Sequence, residues 1–280
     1  MSHRPAAATF AAPRARRALW EGRRGAVELV LSRGMYVRFG EDWVGLAEPG
    51  AEFGPLSIEV RGLPDVLART VAGAPARVAG RRLIVGECVV SVERGRERRC
   101  VAIGRPVSPG GPLASVAAGQ AALSVLGAPP TQLRGGIEQL ASGAMQAGVR
   151  ALAGLGDGLT PAGDDVLAGY AAWSSAVAGR TPRLSAMARG RSSPLGLAYL
   201  RAAEQGELPD AGAALLAALL GGSPAKAATA AHGLGSWGAS SGAALGWGII
   251  AGAAPMLGAH CRADLDRRPP PWRPCVASSF

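Results

Sequence analysis

Apolar and polar positions follow one rhythm over the first third of the chain and another over the rest. Between residues 26 and 105 the apolar runs are short and rich in β-branched side chains: Val27–Leu31, Met35–Phe39, Ser57–Val60, Leu83–Val85, Cys88–Val92 and Cys100–Ile103. Glycine, proline and charged turns separate them, with Gly86 and the Arg-rich stretch 94–99 as hairpin bends. Six or so short strands at this spacing predict a small barrel or a curled antiparallel sheet. Pro106–Pro112 reads as a linker. Beyond it the apolar positions recur at helical spacing over 113–126, 131–152, 161–178, 194–205, 210–220, 224–234 and 240–258. The fold class expected is α+β, a β-rich barrel-like part followed by a larger, mostly α-helical part. The expected division is a disordered basic tail (1–24), a β-rich domain (25–106), a helical domain (112–260) and a disordered Pro/Arg tail (261–280).

Composition changes this picture little. The formal charge is +10, but Lys226 is the only lysine, and abundant Arg, Ala, Gly and Pro are what a GC-rich coding bias produces. The two tails hold +7 of the +10. Nucleic-acid binding would need a basic face with stacking aromatics on folded structure. Only Arg94, Arg96, Arg98 and Arg99 approach one, so no nucleic-acid partner is expected. Cys88, Cys100, Cys261 and Cys275 have no metal-site spacing. The N-terminus lacks a continuous apolar core behind its arginines, and the location expected is cytoplasmic. Residues 227–261 contain no Asp, Glu, Lys or Arg. They are rich in Gly, Ala and Ser rather than Leu and Ile, and Pro255 interrupts the end. A central helix buried on all sides fits this better than a membrane span, and no membrane partner is expected.

The chemistry concentrates in residues 154–165, Gly-Leu-Gly-Asp-Gly-Leu-Thr-Pro-Ala-Gly-Asp-Asp. Thr160 reads as a helix N-cap with Pro161 at the first helical position. Asp164 and Asp165 then fall in the first turns of a helix running on through Val166, Leu167, Tyr170 and Trp173. Gly156, Gly158 and Gly163 suit a backbone cradle, and a helix N-terminus favours an anion. Two carboxylates there repel an anion unless a proton or a cation such as Mg²⁺ intervenes, so Asp164 and Asp165 are also candidate metal ligands. An ordinary junction between two helices uses the same residues and stays open beside these readings. A second copy lies downstream: Ala162-Gly163-Asp164-Asp165-Val166-Leu167-Ala168-Gly169 overlays Ser241-Gly242-Ala243-Ala244-Leu245-Gly246-Trp247-Gly248. Two such helix starts can converge on one ligand, which adds Ser240, Ser241 and Gly242 to the candidates.

Residues 154–169 closely resemble the signature of a bacterial family long catalogued as a domain of unknown function, which includes the AllH subunit of oxamate carbamoyltransferase. Its usual form is Gly-Leu-Gly-Pro-Gly-Leu-Thr-Pro-Ser-Gly-Asp-Asp, from which Asp157 and Ala162 depart. Similarity continues through Leu197–Gly206 and Leu215–Leu220. The family's second block, Gly-His-Thr-Ser-Gly-Ala-Asp, corresponds to residues 238–244, where Ala239 and Ala244 stand for its His and Asp. The resemblance implies a subunit of a complex that transfers a carbamoyl group between carbamoyl phosphate and oxamate, in allantoin breakdown. It implies other subunits of that complex as partners and a small anionic substrate. Backbone N–H groups at a glycine-rich helix start can hold a phosphate and an oxyanion. On that model Thr160 donates its hydroxyl, and Asp164 and Asp165 hold a metal or orient the substrate nitrogen. Two further readings stand beside it. One is a Mg²⁺-dependent hydrolase drawing further carboxylates from Glu138, Glu204, Glu207 and Asp210. The other is a non-catalytic assembly or regulatory subunit. His232 reads as structural.

Overall fold

The computed structural model describes residues 6–93, 95–100, 112–178, 183–238 and 240–266. In chain order its elements are β1 (Ala6–Ala11), α1 (Pro13–Ala18), β2 (Arg24–Leu31), β3 (Gly34–Phe39), β4 (Asp42–Ala47), β5 (Ser57–Arg61), α2 (Leu63–Leu67), β6 (Pro75–Ala79), β7 (Arg82–Val85), β8 (Cys88–Ser91) and β9 (Arg96–Glu97). There follow α3 (Pro112–Leu126), α4 (Thr131–Ala141), α5 (Met145–Leu152), α6 (Ala162–Ala178), α7 (Leu184–Ala188), α8 (Pro194–Ala203), α9 (Asp210–Leu220), α10 (Pro224–Gly235) and α11 (Ser241–Asp266).

The strands pair in the order β5-β4-β3-β2-β6-β7-β8-β1, and β1 pairs back onto β5, closing an eight-stranded barrel. Two-residue loops join β6 to β7 and β7 to β8, with Gly80 and Gly86 in the left-handed region at the first loop position. A barrel of eight strands has an interior that side chains fill. Met35, Val37, Phe39, Val44, Leu46, Ile58, Val60, Leu83 and Val90 are among those doing so, each at most 1% exposed.

The expected basic tail over 1–24 is corrected. Residues 1–5 lie outside the described residues, but β1 is the strand that closes the barrel and α1 packs against β4 and β5. Ala6, Ala8 and Ala11 are buried there, small residues of low strand propensity whose pairing is imposed by the barrel. The Arg-rich stretch is not a hairpin bend: β9 pairs in parallel with β1. Cys100 lies outside any strand, and 101–111 fall outside the described residues. Two strands carried no clear period. β4 is buried at four successive positions because its outer face is also covered, Trp43 packing with Leu195, Ala198 and Tyr199. β6 has only two buried residues, Ala76 and Val78, with Pro75 before them and Arg77 between.

In the helical part α11 is central, packed by α3, α4, α6, α9 and α10. Its residues Ala244, Ile249, Ile250, Ala251, Ala253 and Ala254 are fully buried, which explains the uncharged stretch. No helix of the described residues is long and apolar enough to cross a membrane. Pro255 does not end the helix, which continues to Asp266, so residues 261–266 of the expected tail are helical; 267–280 lie outside the described residues. The helix expected over 131–152 is two, folded back at Gly143 (φ 84°). Gly136 then rests on Leu152 and Gly148 on Leu140, closer than any side chain would allow.

Candidate functional site

The two glycine motifs start α6 and α11, and the helices pack with their repeats exchanged. A Cβ on Gly169 would lie 2.1 Å from the Leu245 carbonyl oxygen, and one on Gly248 would lie 2.0 Å from that of Val166. These four positions correspond in the sequence repeat, so the contact is close to two-fold symmetric. Each motif also seats its first-turn glycine on the preceding helix. A Cβ on Gly163 would lie 1.9 Å from the Leu152 oxygen, and one on Gly242 would lie 1.8 Å from the Leu234 oxygen. Gly163 donates its amide to Leu155 and Gly242 donates to Trp237, at 2.8 and 3.0 Å. These two glycines therefore serve packing, and their amides are taken.

The helix starts do converge. Thr160 Oγ1 lies 3.2 Å from Ser241 Oγ, so the side chain expected to cap its own helix reaches across to the other. Ser240, beside it, is exposed, as is the loop through Gly156 and Gly158. Gly156 and Gly158 hold φ of 111° and 92°, values that need glycine, while nothing crowds the Gly158 position.

The two carboxylates face different surroundings. Asp164 is 1% exposed and accepts from Gly154 N (2.8 Å), Ser192 Oγ (2.7 Å) and Ser193 N (3.2 Å). It ties the glycine loop to the start of α8, where Ser193 also caps its own helix through Gly196 N at 2.9 Å. Burial raises the Asp164 pKa against the pull of these three donors. Asp165 is 4% exposed, and its Oδ2 has no hydrogen-bond partner among the described residues. Burial drives its pKa well above the usual carboxylate range; the Ser241 hydroxyl opposes this and the neighbouring Asp164 carboxylate adds to it. A protonated Asp165 can donate a hydrogen bond as well as accept one.

Behind Asp165 stand two phenols that sequence reasoning did not single out. Tyr36 from β3 and Tyr199 from α8 are joined hydroxyl to hydroxyl at 2.9 Å. Burial raises both pKa values, and the Asp165 charge raises them further. Trp237 completes the group, with its ring edge-on to Tyr199 at 6.1 Å between centroids. Tyr199 lies inside the family-like run Leu197–Gly206, and that was its only signal. Tyr36 had none, because nothing local marks which barrel side chain meets α8.

A pair of metal ligands at Asp164 and Asp165 does not fit this geometry. Both Asp164 oxygens are engaged by the loop and α8, and no group of three or more His, Cys, Asp or Glu able to hold a metal occurs among the described residues. Glu204, Glu207 and Asp210 are engaged elsewhere. Glu204 accepts from Ser185 N and Oγ at 2.7 and 2.8 Å, Glu207 pairs with Arg14, and Asp210 pairs with Arg98.

Residues 152–253 match the family model described as oxamate carbamoyltransferase subunit AllH. That segment, and not the whole helical part, is similar to the AllH family. No curated protein and no solved structure matches the chain. The AllH-like segment holds both helix starts, Tyr199 and Trp237, whereas Tyr36 comes from the barrel outside it. Within the AllH-like segment Ala244 falls at the position equivalent to Asp165 and is fully buried, so Asp165 is the one carboxylate of that equivalent pair.

Proposed function

We propose that this chain is the AllH-like subunit of a carbamoyltransferase-type complex and binds a small amide or carboxylate ligand where the two helix starts meet. The supporting observation is Asp165, a buried carboxyl with an unpartnered oxygen beside the paired hydroxyls of Thr160 and Ser241. An acid held in its protonated form donates to a carbonyl or carboxylate oxygen without repelling it, and its second oxygen accepts from an amide N–H. This replaces the cradle of helix amides expected from the sequence, since the Gly163 and Gly242 amides are committed to Leu155 and Trp237.

On this reading Asp165 and the Thr160–Ser241 pair face the carbamoyl oxygen as negative charge develops on it during transfer to a substrate nitrogen, with phosphate leaving. Asp164 positions the glycine loop and touches no ligand. Gly156, Gly158 and Ser240 line the exposed approach. The test is carbamoyl transfer by the complex assembled with its partner subunits. Asp165→Asn keeps the shape but places an amide where the acid stands, and is expected to lower turnover about 100-fold, the scale of one oxyanion donor. Ser241→Ala is expected to cost less. Full activity in Asp165→Asn would remove the proposed site.

A further inference from the structure

A cavity of about 270 Å³ lies between the barrel and the helical part, and Tyr36, Tyr199 and Trp237 line it together with Glu52. Tyr36 comes from β3, Tyr199 from α8 and Trp237 from the loop between α10 and α11, and Arg33 and Glu52 are the charged side chains in its walls. Two glycines keep it open. A Cβ on Gly45 would press to 3.1 Å against the Tyr36 ring, and one on Gly54 would stand at 3.7 Å from both Ser57 Oγ and the Tyr199 ring.

Glu52 is the unexplained group. Its Oε1 is buried with no hydrogen-bond partner, and Glu52 enters no ion pair among the described residues. Burial raises its pKa, with the Ala211 amide lowering it, Asp210 raising it and Arg98 lowering it. The nearby cations are engaged elsewhere. Arg33, which also lines the cavity, pairs with Glu48 at 3.4 Å. Arg98 pairs with Asp210 and stacks over Phe53 at 4.6 Å. Glu52 as a whole is half-buried, but an enclosed carboxylate oxygen without a direct partner is costly, and aromatic faces attract positive charge.

We infer that this cavity binds a small planar organic cation, an amidinium or guanidinium whose N–H groups meet Glu52 and whose body lies among Tyr36, Tyr199 and Trp237. The volume suits a ligand of roughly ten non-hydrogen atoms, below the usual drug-sized pocket. The inference holds whether or not the paired helix starts bind a carbamoyl compound, because Glu52 and Gly54 take no part in that site.

Benzamidine and benzamide share a shape and differ in charge, which makes them the probes. Calorimetric titration of the full chain is expected to give saturable binding of benzamidine and at least about tenfold weaker binding of benzamide, the scale of one charged hydrogen bond. Glu52→Gln is expected to remove the preference for the cation. Gly54→Ala, whose methyl group sits at ordinary contact distance and whose backbone φ is not left-handed, is expected to fold normally and weaken benzamidine binding. Equal binding of the two probes, no saturable benzamidine signal from folded protein, or an unchanged preference in Glu52→Gln would each overturn the inference.

Discussion

At Asp165 the protein carries an acid where an apolar residue would fold more comfortably, and its own repeat shows the alternative at Ala244. Below the usual carboxylate pKa the group is protonated in both folded and unfolded chains and does not affect the balance between them. As pH rises from there toward its raised folded value, the unfolded chain releases the proton and the folded chain holds it, so stability is lost across that window. Asp165→Asn should therefore raise Tm relative to the parent at pH 7, with the difference shrinking toward pH 4. Thermal unfolding monitored by circular dichroism across that range checks the sign. Asp164→Ala should behave in the opposite way. It strands Gly154 N, Ser192 Oγ and Ser193 N, and is expected to destabilise by about 2–4 kcal/mol in denaturant titration. From the sequence the two aspartates were indistinguishable. Their roles separate only when Ser192 and Ser193, leading into α8, supply partners for one of them.

The helix pair α6–α11 shows what a sequence repeat can and cannot convey. The overlay of residues 162–169 on 241–248 correctly brought the two helix starts together, because glycines at matching positions allow a crossing that any side chain would block. The same spacing did not reveal that Gly163 and Gly242 serve packing, since cradle and close approach place the same demand on the residue. Gly169→Ala and Gly248→Ala both thrust a methyl group into backbone, and each is expected to cost about 1–3 kcal/mol or more by equilibrium denaturation. Among the strands, β2, β3 and β5 were legible from their β-branched runs. β4 was not, because burial on both faces erases the alternation that marks a strand.

For the whole molecule the junction between barrel and helices is what brings Tyr36 and Tyr199 together. Trp43, Leu56, Leu195, Ala198 and Tyr199 form a separate apolar cluster there, and Arg14–Glu207 and Arg201–Glu41 bridge its surroundings. The boundary expected near residue 106 lies outside the described residues, and the sequence carried no sign of which surfaces meet, since those contacts join residues more than a hundred positions apart. Trp43 is 4% exposed at this seam. Trp43→Ala is expected to cost about 3–5 kcal/mol. If the two parts unfold as one unit, far-ultraviolet and near-ultraviolet dichroism should shift together.

The most direct test of the site is calorimetric titration of the full chain with carbamoyl phosphate and with oxamate, repeated on Asp165→Asn and on Thr160→Val/Ser241→Ala. Saturable binding of at least one compound, weakened about tenfold or more in both variants while each remains folded, is the predicted result. Binding that survives unchanged in both would show that the ligand sits elsewhere on the molecule.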